Sequence, residues 1–270
     1  MELLFATGNA AKLKQAQFVA DSLRYAFKIV QAKQLYGELA SYQEKGNTPL
    51  LVALQGALDV YKKVRLPLFV EDSVLEIDAL KGYPGIFSGR ELQRVGRRGI
   101  LDKMRGVEDR KAKITSVVVH VDKNGKTRAF KHAVAGSIAK QEKWMPGEPI
   151  WVGPSLVPWG GGYNTLFIPR GETKTLAEFT AGEGLEKGYR EKNFSSLFAF
   201  LSGKEVPAEA AEDMPLQEAA GAGHESNAGK EGNAGMSGSK EKEQGGGAEG
   251  KENKRIDELG SALLEGTEEK

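Results

Sequence analysis

Leu66-Pro67-Leu68-Phe69-Val70-Glu71-Asp72-Ser73 is the stretch whose reading decides the fold. Leu66 to Val70 is a short apolar run with Pro67 near its start, and it reads as a buried strand. Two acids and a serine follow at its end. Ligands of α/β sheets gather at the carboxyl ends of strands. A carboxylate pair placed there can hold a divalent metal or activate a water. It can equally do no more than solvate a turn.

A second stretch of the same kind opens the chain. Leu3-Leu4-Phe5-Ala6 reads as a strand, Thr7-Gly8-Asn9 as a turn, and Lys12 falls in the first turn of a helix. Free backbone N–H groups and the positive end of a helix dipole favour an anion, so Thr7, Gly8, Asn9 and Lys12 form a candidate phosphate cradle. Asn9 also reads simply as a helix N-cap.

Between and beyond these stretches, helical spacing covers Ala10 to Ala26 and Leu50 to Val64, with Pro49 suited to a first helical turn. Phe27 to Ala32 reads as a strand, and Gly37 to Pro49 as a loop. Ile86 to Met104 reads as a helix, basic on one side and weakened by Gly96 and Gly99. Lys113 to Val121 and Thr127 to Ala139 form a hairpin around Asn124-Gly125. Its histidines, His120 and His132, have no ligand companion at metal spacing and read as packing or surface residues. Trp144 to Gly162 is a long loop in which Trp151 and Trp159 can stack on a base or pack on the domain.

The 270 residues divide by composition. Residues 1–205 are an ordinary globular mix. Residues 206–270 are rich in Gly, Ala, Glu and Lys, and are expected to be a disordered acidic tail. The net charge of +1 hides this split: the tail holds 15 acidic and 7 basic residues, the remainder 22 acidic and 31 basic. A positive globular part suits an anionic ligand such as a nucleoside triphosphate. Nucleic acid would suit the charge too, but the basic helix reads more simply as a solvated surface. No cysteine is present, which excludes disulfides, thiolate metal sites and a cysteine nucleophile. No apolar run reaches the roughly 18 residues of a membrane span. Residues 1–20 lack a signal-peptide pattern, so a cytoplasmic protein is expected.

Taken together, Phe5-Ala6-Thr7-Gly8-Asn9-Ala10-Ala11-Lys12, Glu71-Asp72-Ser73, Asp78-Ala79-Leu80-Lys81-Gly82-Tyr83-Pro84-Gly85 and Ser88-Gly89-Arg90 resemble the inosine triphosphate pyrophosphatase, or Ham1, family. The match runs from residue 1 to about residue 203. The resemblance implies an α/β fold, a mixed twisted sheet with flanking helices and two lobes around a central cleft. It implies Mg²⁺-dependent hydrolysis of a nucleoside triphosphate to monophosphate and pyrophosphate, in a homodimer.

Site residues follow from the same resemblance. Glu44, in Glu44-Lys45-Gly46-Asn47-Thr48, and Asp72 would hold the metal, although Leu51 and Val52 replace the family's second acid and asparagine. Asp72 is the first candidate to activate water and Glu71 the second. Gly162 and Tyr163 match a nucleotide-binding segment, where Gly161, Asn164 and Thr165 depart from it. Ser73, Lys174 and Lys192 would complete the nucleotide contacts. The family's base-reading Ser-His-Arg is Ser196-Leu197-Phe198 here. Replacing donors by apolar groups relaxes base selectivity. Three readings stay open: an active pyrophosphatase with altered base preference, one whose base readers come from elsewhere (Arg190 or Trp159), and a nucleotide-binding protein without turnover. A last helical pattern, Arg255 to Leu264, is marginal by itself.

Overall fold

The computed structural model describes residues 1–145 and 161–214. Trp151, Trp159, the tail from residue 215 and the Arg255 to Leu264 pattern lie outside them.

A single mixed sheet runs in the order β2-β1-β3-β5-β6-β7. Its strands are β1 (Glu2–Phe5), β2 (Lys28–Gln31), β3 (Leu68–Ile77), β5 (Lys111–Val121), β6 (Thr127–Ile138) and β7 (Phe167–Pro169). Short β4 (Tyr83–Gly85) pairs with β3, and β8 (Ala211–Met214) pairs with β6. β1 is parallel to β2 and β3, and the remaining pairs are antiparallel. The sheet thus begins with two crossovers, through α1 (Ala10–Ser22) and α3 (Pro49–Val64), and then continues as a meander.

Period-two alternation sorts the β1 and β3 side chains between two helical layers. Leu3, Phe5 and Phe69 pack with Ala16 and Val19 of α1 and with Phe194, Leu197 and Phe198 of α6 (Tyr189–Leu201). Leu4, Leu68 and Val70 face the other way, onto Ala53, Leu54 and Ala57 of α3. A third apolar group gathers at the far end of β3 and β5. There Leu75, Ile77 and Ile114 meet Ile100 of α4 (Ser88–Lys103) and Leu166, Phe167 and Phe179. β3 and β5 therefore bridge two lobes.

Several expectations need correction. β3 does not stop at Val70; it runs to Ile77, because Glu71 to Ile77 keep a full antiparallel register with β5. What stops is β1, whose pairing with β3 ends at Phe5–Phe69. The acids therefore lie in mid-strand, at the level where β1 turns into α1. The first helix ends at Ser22 rather than Ala26, and Arg24 follows with a positive φ of 56°. Part of the expected strand and loop around residue 32 is helical: α2 (Ala32–Tyr36) and a 3₁₀ turn, Gly37–Ala40. α4 is broken at Gly96, whose φ of 64° and ψ of −172° are not helical. The ordered chain also passes residue 205, where the tail was expected to start. Val206 packs on the α6 side of the core, and β8 adds to the edge of β6. Among the described residues, no helix is long and apolar enough to cross a membrane.

Candidate functional site

A cleft of about 610 Å³ opens beside β3, at the level where β1 has ended. The Thr7-Gly8-Asn9 turn, Lys12, Tyr42 and Glu44 line its one side, and Ile86, Leu92, Ile114 and Tyr163 line the other. Asp72, Ser73 and Arg190 lie between these two sets in the chain's architecture, on β3 and α6.

The turn is set by its own side chains. Thr7 Oγ1 accepts from the Asn9 N–H at 3.1 Å, and Asn9 Oδ1 accepts from the N–H groups of Ala11 and Lys12 at 2.9 and 3.4 Å. Asn9 is thus the N-cap of α1, and the capping also fixes the cradle. Among the described residues the N–H groups of Gly8 and Ala10 have no acceptor. Unpaired donors at a helix start are what an anion binds. A Cβ added at Gly8 would meet no atom within 4 Å, so packing does not demand glycine there.

Glu71 and Asp72 are neighbours in a strand, so their side chains leave on opposite faces. Glu71 points to the α1 and α6 side and is 2% exposed. Lys12 Nζ lies 2.8 Å from its Oε2. Its Oε1 accepts from Ser116 Oγ at 2.8 Å and Arg190 Nε at 3.2 Å. Burial opposes ionisation of Glu71, but Lys12 and Arg190 outweigh it and hold the carboxyl below the usual range. The second-choice water activator is therefore already committed within the protein, and it does not line the cleft.

Asp72 has the opposite surroundings. Burial pushes its pKa up to about 6, and repulsion from Glu71 and Glu44 adds to the rise against the pull of Lys12. The same carboxylates, after burial, raise the pKa of the Tyr42 hydroxyl. Tyr42 sits against α3 where residue 56 is glycine: a Cβ there would come within 2.5 Å of its ring.

Arg190 is the centre of a wider buried network. Nη1 donates to Gln15 Oε1 at 3.0 Å and Nη2 to Ser73 Oγ at 2.8 Å. Gln15 donates in turn to Glu191, and Asn193 Nδ2 donates to Ser116 Oγ at 3.0 Å. Gln15, Ser116, Glu191 and Asn193 carried no sequence signal of a site. The available hint was polar residues within the buried face of an otherwise apolar helix. Tyr42 was missed because it precedes the expected metal segment.

Tyr163 and Gly162 do reach the cleft. The Tyr163 hydroxyl donates to the Ser88 carbonyl at 2.9 Å, and the Gly162 carbonyl accepts from Arg97 Nε at 2.8 Å. Lys174 and Lys192 do not line it. Lys174 Nζ pairs with Glu183 at 3.0 Å, and Lys192 is exposed on α6. Leu197 and Phe198, where the base-reading pair was sought, are fully buried in the core, Phe198 against the rings of Tyr25, Phe27 and Phe194. On the basic helix, Arg94 pairs with Glu91 at 2.7 Å, and Arg105, just beyond its end, pairs with Asp102 at 2.6 Å.

A model of the Ham1 family matches residues 3–200. The dITP/XTP pyrophosphatase of Methanopyrus kandleri is 33% identical over 192 residues, covering 71% of this chain and 92% of that protein. The dITP/XTP pyrophosphatase of Pyrococcus horikoshii is 31% identical over 204 residues, covering 74% and 97%. The solved structure of the Staphylococcus aureus Ham1 protein is similar with a TM-score of 0.60 at 22% identity, covering 76% of this chain and 100% of that one. The phosphate-type turn, the acid-bearing strand and the two-lobed sheet thus coincide with a family match over most of the folded part, and the chain belongs to the Ham1 family.

Proposed function

We propose that this chain is a nucleoside triphosphate pyrophosphatase that hydrolyses dITP- and XTP-type nucleotides to the monophosphate and pyrophosphate. One observation carries the reading. A lysine, two free N–H groups at a helix start and a carboxylate of raised pKa share one cleft.

The roles follow from the surroundings. Lys12 and the backbone of Thr7, Gly8 and Asn9 hold phosphate oxygens. Asp72, ionised above about pH 6, orients a water and takes its proton as the water oxygen bonds to the α-phosphorus. The bond from that phosphorus to the α–β bridging oxygen breaks, and pyrophosphate leaves with its charge met by Lys12. Ser73, Gly162 and Tyr163 border the nucleotide.

Mg²⁺ fits the residues present. Glu44 and Asp72 repel one another across the cleft, and a cation between them would relieve that repulsion. Among the described residues no three His, Cys, Asp or Glu side chains gather as a metal cluster. Mg²⁺ takes one or two carboxylates and completes its shell with phosphate oxygens and water. When bound it would neutralise the triphosphate and polarise the reacting phosphoryl group.

Ile86, Leu92 and Ile114 give the cleft an apolar part of its lining, which supports a relaxed base preference. A homodimer and a cytoplasmic location belong to the same reading; light scattering after size exclusion reports the first and cell fractionation the second.

The test is product analysis of the purified chain with Mg²⁺ over dITP, XTP, ITP and the common NTPs and dNTPs. Release of monophosphate and pyrophosphate, lost in Asp72→Asn, is the expected result. Binding without turnover on every nucleotide would leave a nucleotide-binding member of the family.

A further inference from the structure

We propose that Arg97 is a positioning residue of the site: through the Gly162 carbonyl it fixes the Gly162-Tyr163 segment as the wall that receives the nucleoside end of the substrate. This rests on the pyrophosphatase reading and adds a residue of α4 that the reading does not use.

Arg97 stands apart from the other arginines of α4. The Arg94 and Arg98 side chains are 63% and 89% exposed, whereas that of Arg97 is 19% exposed. Arg97 follows Gly96, where α4 is broken, so its direction is not set by the helical turn before it. A Cβ at Gly96 would meet no atom within 4 Å, so the positive φ alone calls for glycine there. Beyond the break, Arg97 Nε donates to the Gly162 carbonyl at 2.8 Å and lies 3.8 Å from Glu142 Oε2. The same carboxylate oxygen accepts from Thr165 Oγ1 at 2.9 Å. One guanidinium and one carboxylate thus hold the segment at residues 162 and 165.

The segment needs such a tie. Gly161 and Gly162 have positive φ of 67° and 60°, and glycine loses more freedom on ordering than any other residue. The Asn164 N–H donates to the Gly161 carbonyl at 3.2 Å and closes the turn, but that bond is internal to it. Gly162 and Tyr163, the two residues here that reach the cleft, are both tied to α4, one on each side of the break: Tyr163 to the Ser88 carbonyl and Gly162 to Arg97.

The phosphate cradle and Lys12 belong to the start of α1. Tyr163 packs instead with Leu92 and Ile114 in the other lobe, and all three line the cleft. With phosphates at the Thr7-Gly8-Asn9 turn, the sugar and base fall to this wall. Arg97 does not itself line the cleft. It acts through Gly162 and touches no substrate.

The experiment titrates the full chain by calorimetry, in a chelator-containing buffer, with dITP and with inorganic tripolyphosphate, which has phosphates and no nucleoside. Wild type is compared with Arg97→Met and Arg97→Lys, and dITP turnover is measured on all three with Mg²⁺. Arg97→Met should lose about 10-fold in dITP affinity, as for one hydrogen bond from a charged donor. Its KM for dITP should rise alike, with kcat and tripolyphosphate affinity unchanged. A general loosening of the fold would weaken both ligands. Arg97→Lys keeps a charged donor in poorer geometry and should lose less, still on dITP alone. If Arg97→Met does not fold, Arg97→Lys decides.

Unchanged dITP affinity in the folded variant, or an equal loss on tripolyphosphate, overturns the assignment and leaves the pyrophosphatase reading in place if wild type turns over dITP. Should wild type turn over no nucleotide while the loss on dITP alone is seen, the pyrophosphatase reading falls and Arg97 keeps its role in nucleotide binding. Wild type without affinity for dITP overturns both.

Discussion

Lys12 Nζ lies 2.8 Å from the main-chain oxygen of Glu71 and also 2.8 Å from its Oε2. One ammonium thus grips both the backbone and the side chain of the strand at the level where β1 no longer runs beside it. The first helical turn is tied to mid-strand, and the candidate phosphate lysine becomes part of the frame. The same grip separates the two acids. Glu71 is neutralised from the α1 and α6 side, and Asp72, one residue on, is left on the other face with Glu44 and Tyr42 for company.

Glu71→Gln and Asp72→Asn should therefore fail in different ways. Removing the Glu71 charge leaves Arg190 buried with less compensation, which costs about 3–5 kcal/mol. Urea unfolding should register the loss, and the acid limb of the residual activity should move to lower pH, because the repulsion from Glu71 that helps raise the Asp72 pKa is gone. Asp72→Asn should fold well and lose at least about 100-fold in kcat, the scale of a general base. A stable, inactive Glu71→Gln beside an active Asp72→Asn would reverse the roles.

Asp72→Asn should also stabilise the metal-free protein, and only at higher pH. The folded pKa of about 6 lies above the 3.8 of a free aspartate. Asp72 protonation therefore favours the native state fully below about 3.8, and this contribution is lost as pH rises through about 6. Above that, an ionised, half-buried carboxylate is carried at a cost on the order of 2 kcal/mol. The variant should melt roughly 4–8 °C higher than wild type at pH 8, and at the same temperature at pH 4. Calorimetry with chelator present checks both pH values.

His120 predicts the reverse slope. Burial pushes its pKa down from 6.5 to about 4, with Asp122 opposing. The unfolded chain takes up this proton first, so stability present above pH 6.5 is lost as pH falls through about 4. The change is on the order of 3 kcal/mol. In His120→Leu this portion of the acid slope should be missing from urea midpoints measured between pH 7 and 4.

Restoring the family's residues at Leu197 and Phe198 should not restore base reading. Both side chains are fully buried. Phe198→Arg places a guanidinium among the rings of Tyr25, Phe27 and Phe194, in a buried apolar cluster. It should lose at least about 4 kcal/mol, seen as a lower urea midpoint, with no gain in selectivity among dITP, dGTP and dATP.

Much of this was legible in the sequence, for identifiable reasons. β1, the hairpin and α3 announce themselves by local pattern, turn chemistry and a proline at a helix start. The Thr7-Gly8-Asn9 turn and Asp72 stand in contiguous motifs, and both reach the cleft. The extension of β3 was not legible, because Glu71-Asp72-Ser73 interrupts the apolar pattern and only the register with β5 carries the strand onward. The tie between Lys12, Glu71 and Arg190 spans 178 positions of the chain, and no local rule foresees it. Lys174 and Lys192 came from matching motifs; their side chains are engaged with Glu183 or exposed to solvent instead. The expected start of the tail at residue 206 missed β8, whose Ala211-Glu212-Asp213-Met214 has little strand propensity and is held by the edge of β6.

The central claim is that water, oriented by Asp72, attacks the α-phosphorus. Hydrolysis of dITP by the wild-type chain in ¹⁸O-water, read by mass spectrometry, tests it most directly. The account predicts one ¹⁸O in the monophosphate and none in pyrophosphate, with the whole signal absent in Asp72→Asn. Label in the pyrophosphate, or release of inorganic phosphate with a diphosphate product, would contradict it.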